Sequence, residues 1–385
     1  MSKKKKEKQI KIVFTTGGTG GHIFPLVAII RELKNIFPKE VNFVLYYIGP
    51  KNKLSEEYIK KEGVVMKNIF AGKLRRYSDP LAILQNIVDI FIKTPIGIIQ
   101  SFFYLYFISP DIIFSKGGYG SVPVILSTFL LRTPIFFHES DVVPGKANQF
   151  LQRFACEIFT SFPDTIGIPK NKIINVGNPI RTEVIGGSKE EARKIFKLSK
   201  EKPVILILGG SQGSERINEI FISIANELLK DFQVIHQCGN LNYKQTLAEA
   251  DTLINKELRS NYHLFSFLNE EQLRNAYKVN DLVVSRAGSG NIFEISANAK
   301  ASIILPLSGS AQDHQVKNAY SYAKTGATIV FEEGNFTPRF FLGKVRELFY
   351  PIEQIRIMEE NAKKFARPQS AYITASYIKE YLIDN

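Results

Sequence analysis

Residues 15–25 read TTGGTGGHIFP, four glycines and a histidine set between two apolar runs. Upstream, residues 11–16 (KIVFTT) have the composition of a buried parallel strand. Downstream, residues 24–37 carry apolar side chains at helical spacing, with Pro25 tolerated in a first turn. The pattern predicts a strand-to-helix turn containing Gly17, Gly18, Gly20 and Gly21. Glycine there permits left-handed backbone and close approach of a ligand, and the start of the helix offers unpaired N–H groups to an anion. The expected ligand is phosphate or diphosphate.

The device recurs. KGGYGS at residues 116–121 follows the strand-like DIIFS, and LGGSQGS at residues 208–214 follows PVILI. Three glycine loops after three apolar runs predict a nucleotide-handling α/β protein. No loop has the G-x-G-x-x-G spacing of dinucleotide binding, and the next strand-like runs, residues 41–50 and 232–240, end without the carboxylate that would hold a ribose, which disfavours a dehydrogenase. Gly72-Lys73 is followed by leucine and Gly145-Lys146 by alanine, so the Walker pattern, which needs Ser or Thr for magnesium, fails too.

A chain of 385 residues exceeds one typical domain. Strand, glycine loop and helix at residue 11 reappear at residue 203, each followed by alternating strand and helix patterns, as in doubly wound parallel sheets. The segment between them is rich in Gly, Pro and charge, and the seam is placed at residues 179–181. The expected domains are 1–180 and 181–366, with ligands at the carboxyl ends of the strands and the active site in a cleft between the two halves. Cys156 and Cys238 have neither metal-site nor disulfide-framework spacing, and no metal is expected. No apolar targeting segment separates MSKKKKEKQ from the first strand, so the expected location is cytoplasmic.

The net charge of +13 suits nucleic acid or an anionic membrane. Residues 81–108 bear on that choice: they carry only Asp89 and Lys93 as charges, are interrupted by Pro95 and Gly97, and lie in a region whose longest uncharged run, 94–110, is short for a membrane span. Leu84, Ile87, Val88 and Phe91 recur at helical spacing, and with Lys73, Arg75 and Arg76 just upstream they predict shallow docking on an anionic bilayer. Ile99, Phe102, Phe103 and Tyr106 repeat the pattern, and this second half is expected to bury in the core. A spanning helix is not expected.

Candidate chemistry falls on the predicted strand ends. His22 follows the first glycine loop and suits proton transfer near neutral pH. HESD (residues 138–141) follows PIFF. SRAGSGNIFE (285–294) offers backbone N–H groups, and Glu294 a carboxylate able to accept two bonds from a ribose diol. AQDHQVKNA (311–319) places amide, carboxylate and imidazole on a short loop.

In order and spacing, GGTGGHIFP, KGGYGSVP, HESDVVPGKAN, VGNPIR, LGGSQGSERIN, SRAGSGNIFE and DHQVKNA resemble the MurG-type peptidoglycan glycosyltransferases along nearly the whole chain. The resemblance implies a GT-B fold of two Rossmann-like domains, with a last helix, about 367–385, crossing back to the first. It implies an inverting, metal-independent transfer of N-acetylglucosamine from its UDP conjugate to an undecaprenyl-diphosphate-linked N-acetylmuramoyl pentapeptide, at the cytoplasmic face of the cell membrane and without a cofactor or nucleic acid. Arg181, Ser211, Leu268, Ser289, Gly290, Asn291, Glu294, His314 and Gln315 would line the donor site, Ser211 holding diphosphate and Glu294 the ribose. Thr19, Gly20 and Gly21, counted with the donor contacts, lie with His22 on the acceptor-facing side, where Gly17, Gly18, Gly118, Tyr119 and Asn148 would receive the acceptor diphosphate. The implied base is His22, with Glu139 second.

One departure bears on the donor site: Asp141 stands where better-known members carry asparagine, and an ionised carboxylate cannot donate that amide hydrogen bond. The rival readings are another lipid-acceptor glycosyltransferase, such as a diacylglycerol glycosyltransferase, and a non-catalytic nucleotide- or nucleic-acid-binding protein. The latter would need basic residues interleaved with aromatics, and the sequence carries no RNA-binding motif.

Overall fold

Two runs of apolar strands each build a parallel sheet. The computed structural model describes residues 9–73, 75, 80–210 and 213–383; Arg76 and Ser211 lie outside the described residues. The chain divides into two compact units, residues 1–180 with 369–385, and residues 181–368.

In the first unit the strands are β1 (Ile10–Thr15), β2 (Phe43–Gly49), β3 (Val65–Asn68), β4 (Ile112–Ser115), β5 (Ile135–Glu139), β6 (Glu157–Thr160) and β7 (Ile173–Asn175). They pair in parallel in the order β3-β2-β1-β4-β5-β6-β7. The order reverses between β1 and β4, so the loops leaving these neighbours diverge and open a ligand crevice at their carboxyl ends. One face of the sheet buries Ile12, Phe14, Phe114 and Phe136 against the Gly20–Ile36 helix, and Ala375 and Ile378 of the Ser370–Ile383 helix join the same core.

The second unit repeats the plan with β8 (Val204–Leu208), β9 (Gln233–Gln237), β10 (Tyr262–Phe265), β11 (Leu282–Ser285), β12 (Ser302–Ile304) and β13 (Thr328–Val330), in the order β10-β9-β8-β11-β12-β13. Its reversal lies between β8 and β11. The two-unit, doubly wound α/β architecture expected from the alternating patterns is the one observed.

Several boundaries differ from expectation. The first helix begins at Gly20, so Gly20 and Gly21 belong to its first turn rather than to the loop before it, His22 follows them at the helix start, and Pro25 sits inside the helix. Pro25 withdraws a hydrogen bond from the carbonyl four residues back, which belongs to exposed Gly21 and can turn to water. His138 and Glu139 end β5 instead of following it, because Phe136 and Phe137 pair on both sides and the register with β6 runs on through His138 and Glu139. His314 and Gln315 open the His314–Ala323 helix rather than lie on a loop.

The largest correction concerns residues 80–108. Pro95 does not interrupt them: Pro80–Val88, a wide turn at Asp89–Lys93 and Thr94–Ile108 run on as one 29-residue helix, long and apolar enough by length and composition to cross a membrane, with only 17% of its most apolar window buried. Pro95 falls directly after the wide turn, where the helical ladder already changes its spacing and can absorb the missing N–H. The second half does not bury the face predicted for it. Ile99, Phe103 and Tyr106 are exposed and Phe102 half-buried, while Gly97, Ser101, Leu105 and Ile108 turn inward.

The helix is amphipathic in reverse. Asp89 is buried and receives Arg75 Nη1 at 2.7 Å, Lys93 Nζ at 2.6 Å and the Lys73 amide at 3.2 Å; Asn86 exchanges two hydrogen bonds with the Arg75 backbone. Leu84, Ile87, Phe91 and Phe107 face solvent, Phe91 at 72% and Phe107 at 76% exposure. Asp89→Ala leaves both cations unmatched against the domain and is expected to cost about 2 kcal/mol, less than the roughly 3 to 5 kcal/mol of a fully buried broken pair because Arg75 and Lys93 reach water. Urea unfolding of the two proteins measures the difference.

Candidate functional site

At the first switch point the two glycine loops lie backbone against backbone. The Gly17 amide donates to the Gly117 carbonyl at 2.9 Å, and a Cβ on Gly118, already at φ +81°, would meet the Gly17 backbone at 3.1 Å. Thr19 caps the Gly20–Ile36 helix without a side-chain hydrogen bond, and the first turn holds no acid, so amide donors and the positive helix end are directed at whatever anion binds there.

His22 is half-buried and its Nδ1 lies 3.2 Å from the carbonyl of Lys116, the residue that follows β4. A carbonyl only accepts, so Nδ1 carries the proton and the neutral ring keeps its lone pair on Nε2, the form a base requires. Lys116 itself, 1% exposed, is held by His138 Nδ1 at 2.7 Å, Ser140 Oγ at 2.6 Å and Asn178 Oδ1 at 3.2 Å. His138 Nε2 bonds the Gly177 carbonyl at 3.0 Å and must be the protonated nitrogen. Burial, then the Lys116 charge, hold its pKa well below the usual value, and the ring is a neutral acceptor for the lysine.

Glu139 is fully enclosed. Its Oε1 accepts the Asp141 amide at 2.9 Å and its Oε2 accepts Asn148 Nδ2 at 2.8 Å, while Asn148 Oδ1 accepts the Gly118 amide at 2.9 Å. Burial and the Asp141 charge push its carboxyl upward, and burial pushes the neighbouring Lys116 amine downward. Both oxygens are thus engaged inside the protein, and through Asn148 the carboxylate positions the second glycine loop. Asn52 went unnoticed in the sequence; its Nδ2 donates to the Gly18 carbonyl at 2.9 Å and would lie 2.7 Å from a Cβ on Gly18, with the Tyr119 hydroxyl at 3.4 Å from the same point. Lys116 was also unmarked, because nothing in KGGYGS says which way its first side chain turns.

At the second switch point Gly209 and Gly210 follow β8, and Ser214 caps the Glu215–Asp231 helix. Ser214 Oγ accepts Arg286 Nη2 at 2.5 Å, and the same guanidinium pairs with Glu333 at 2.5 Å. Gln237 joins the two flanking loops, accepting the Leu268 amide at 2.9 Å and donating to the Gly210 carbonyl at 3.3 Å. Ser289 and Gly290 open the Ser289–Ala297 helix, again without a side-chain cap. Asn291 turns back to Ser285 Oγ at 2.8 Å, and Gln315 Oε1 accepts the Leu307 amide at 3.0 Å. His314 stands beside Gln315, half-buried, after two residues in left-handed backbone, Gln312 and Asp313. Arg181 and Glu294, expected as separate ligands, are buried against each other at 3.4 Å, and Arg181 also reaches Glu270 at 3.1 Å. Among the described residues no group of His, Cys, Asp and Glu is arranged to hold a metal.

Asn148→Ala removes the shared partner of Glu139 and the Gly118 amide, and is expected to lower stability by about 1 to 3 kcal/mol, the cost of buried groups left unpaired. Thermal unfolding reads this loss.

Residues 12–160 match the glycosyltransferase family 28 N-terminal domain and residues 204–372 its C-terminal domain. The chain is 38% identical over 341 residues to the UDP-N-acetylglucosamine–N-acetylmuramyl-(pentapeptide) pyrophosphoryl-undecaprenol N-acetylglucosamine transferase of Clostridium tetani, covering 88% of this chain and 90% of that one. It is 40% identical over 326 residues to the second such transferase of Bacillus cereus strain ATCC 14579, covering 84% and 87%. Among solved structures, Acinetobacter baumannii MurG superposes with a TM-score of 0.70 at 21% identity over 96% of this chain and 99% of that one. The UDP-GlcNAc 2-epimerase of Neisseria meningitidis, bound to UDP-GlcNAc, superposes at 0.64 with 15% identity over 98% and 100%, a likeness of fold. Two switch-point sites, both family domains and relatives of this identity over nearly the full length lead to one assignment: the chain belongs to glycosyltransferase family 28.

Proposed function

We propose that the protein transfers N-acetylglucosamine from UDP-GlcNAc to the C4 hydroxyl of an undecaprenyl-diphosphate-linked N-acetylmuramoyl pentapeptide, with inversion. The observation that carries the reading is the 38% identity, over 88% of the chain, to a transferase named for that reaction. The geometry agrees with the chemistry. His22, its Nδ1 proton directed to the Lys116 carbonyl, takes the hydroxyl proton at Nε2 as the oxygen attacks the anomeric carbon and UDP leaves. Charge growing on the leaving diphosphate is met by the amides of the third glycine loop and the start of the Glu215–Asp231 helix. In this reading Gly17, Gly18, Gly118, Tyr119 and Asn148 serve the acceptor, and Leu268, Ser289, Gly290, Glu294, His314 and Gln315 the donor.

His22→Ala is expected to lower turnover by about 10²-fold or more, the usual contribution of a general base, and to leave UDP binding unchanged. A direct assay of sugar transfer to the lipid-linked acceptor, paired with calorimetry, checks both halves; near-normal turnover removes His22 from the role.

The reverse-amphipathic helix supports a peripheral position on an anionic membrane. A spanning helix would have to draw Asp89 away from Arg75 and carry the Asp89–Lys93 pair into lipid, whereas docking leaves both pairs intact and covers Leu84, Ile87 and Phe91 together with the half-buried Val88. Basic residues near such a surface contribute on the order of 1 kcal/mol each and are screened by salt, while inserted apolar groups are not. Ile87→Asp and Phe91→Asp should therefore weaken sedimentation with anionic vesicles at both low and high salt, and charge reversal at Lys73 mainly at low salt. Normal vesicle binding by folded Asp variants places the docking face elsewhere.

A further inference from the structure

The Arg181 guanidinium bridges two carboxylates of its own unit, Glu270 Oε1 at 3.1 Å through Nη1 and Glu294 Oε1 at 3.4 Å through Nη2. Both Arg181 and Glu294 are enclosed, at 4% and 9% exposure. The Tyr277 phenol stands beside them, pushed well above its usual value by burial and then by the Glu294 charge. A carboxylate that deep in the protein keeps its charge only next to a fixed cation, and a planar fork fixes the orientation of the oxygen it holds as well as its charge. Arg181, expected from sequence to line the donor site, thus has both terminal nitrogens on carboxylates.

We infer that Arg181 is a positioning residue for ribose recognition: it keeps Glu294 ionised and oriented, so that the carboxylate accepts the ribose diol, and thereby makes the donor site selective for a ribonucleotide. The inference rests on the reading of Glu294 as the ribose ligand. The groups facing Glu294 are few. Arg181 precedes the short turn Thr182–Val184, and Glu270 and Tyr277 come from the Glu270–Val279 helix. Burial raises the Glu294 carboxyl, Arg181 opposes that rise, and Glu270 adds to it. Removing Arg181 leaves the two raising influences opposed by the Tyr277 hydrogen bond alone, the smallest of the causes, and a protonated Glu294 loses one of the two acceptor positions a diol needs.

The test compares UDP with 2′,3′-dideoxy-UDP by calorimetry. Their phosphates are identical, so any contact of Arg181 with phosphate cancels in the ratio of affinities. The wild type is expected to prefer UDP by about tenfold or more, as for hydrogen bonds to a charged group. Arg181→Met should reduce that preference to within about twofold, and the preference should return as pH rises, because the Glu294 carboxyl now ionises later than in the wild type. Arg181→Lys, which keeps the charge without the fork, should retain part of it and serves if the Met variant does not fold.

If either variant weakens both ligands equally while keeping the full preference for UDP, Arg181 is a phosphate ligand and the inference is overturned, with the ribose reading intact. If the wild type itself binds the two ligands alike, the ribose reading fails first. A lost preference that no rise in pH restores also overturns the proposed control of ionisation.

Discussion

Where β1 and β4 end, two polypeptide backbones touch with no side chain between them. Neighbouring parallel strands lie about 4.8 Å apart, and at a switch point the loops leaving them must separate. Here they first touch, through the Gly17 amide and the Gly117 carbonyl. A Cβ at Gly118 would press on Gly17, and one at Gly117 would fall 2.2 Å from Asn148 Oδ1. That contact brings the carbonyl of Lys116 under the first turn of the following helix, where it receives His22. The tautomer of the histidine is therefore a consequence of how closely two glycine loops can approach.

The second unit uses the same topology with different supports. In the first unit an amide side chain, Asn148, ties the second loop to a buried carboxylate; in the second, a guanidinium, Arg286, ties the cap of a helix to Glu333. Each unit also encloses a cation among acceptors, such as Lys116 in the first and Arg181 in the second. Enclosed charges of this kind are costly unless fully met, and here their partners come from several separate segments of chain. Lys116 alone gathers β5, the residue after it and Asn178.

The parallel sheets were legible because residues such as 204–208 and 282–284 are apolar on both faces, and only a strand covered by helices reads that way. The glycine loops were legible because few other functions need so much bare backbone. Asn52, Lys116 and Gln237 were not, since their roles depend on neighbours 22 to 62 residues away that spacing cannot bring together. Residues 99–106 were misread for a related reason. Periodicity reports that a helix has an apolar face, but not whether protein lies against it. The informative signal was at Asn86 and Asp89, polar residues whose partners, at 73 and 75, hold them inward.

That inverted helix has a practical consequence for any preparation of the protein. An apolar face this size in water makes every amphiphile a ligand of the folded state, and a ligand that prefers the folded chain raises its melting temperature by mass action. Detergent carried over from purification thus counts as an unrecorded stabiliser. Removing it exposes the faces of separate copies to one another, and a stability measured this way belongs to the protein together with its amphiphile at a stated concentration.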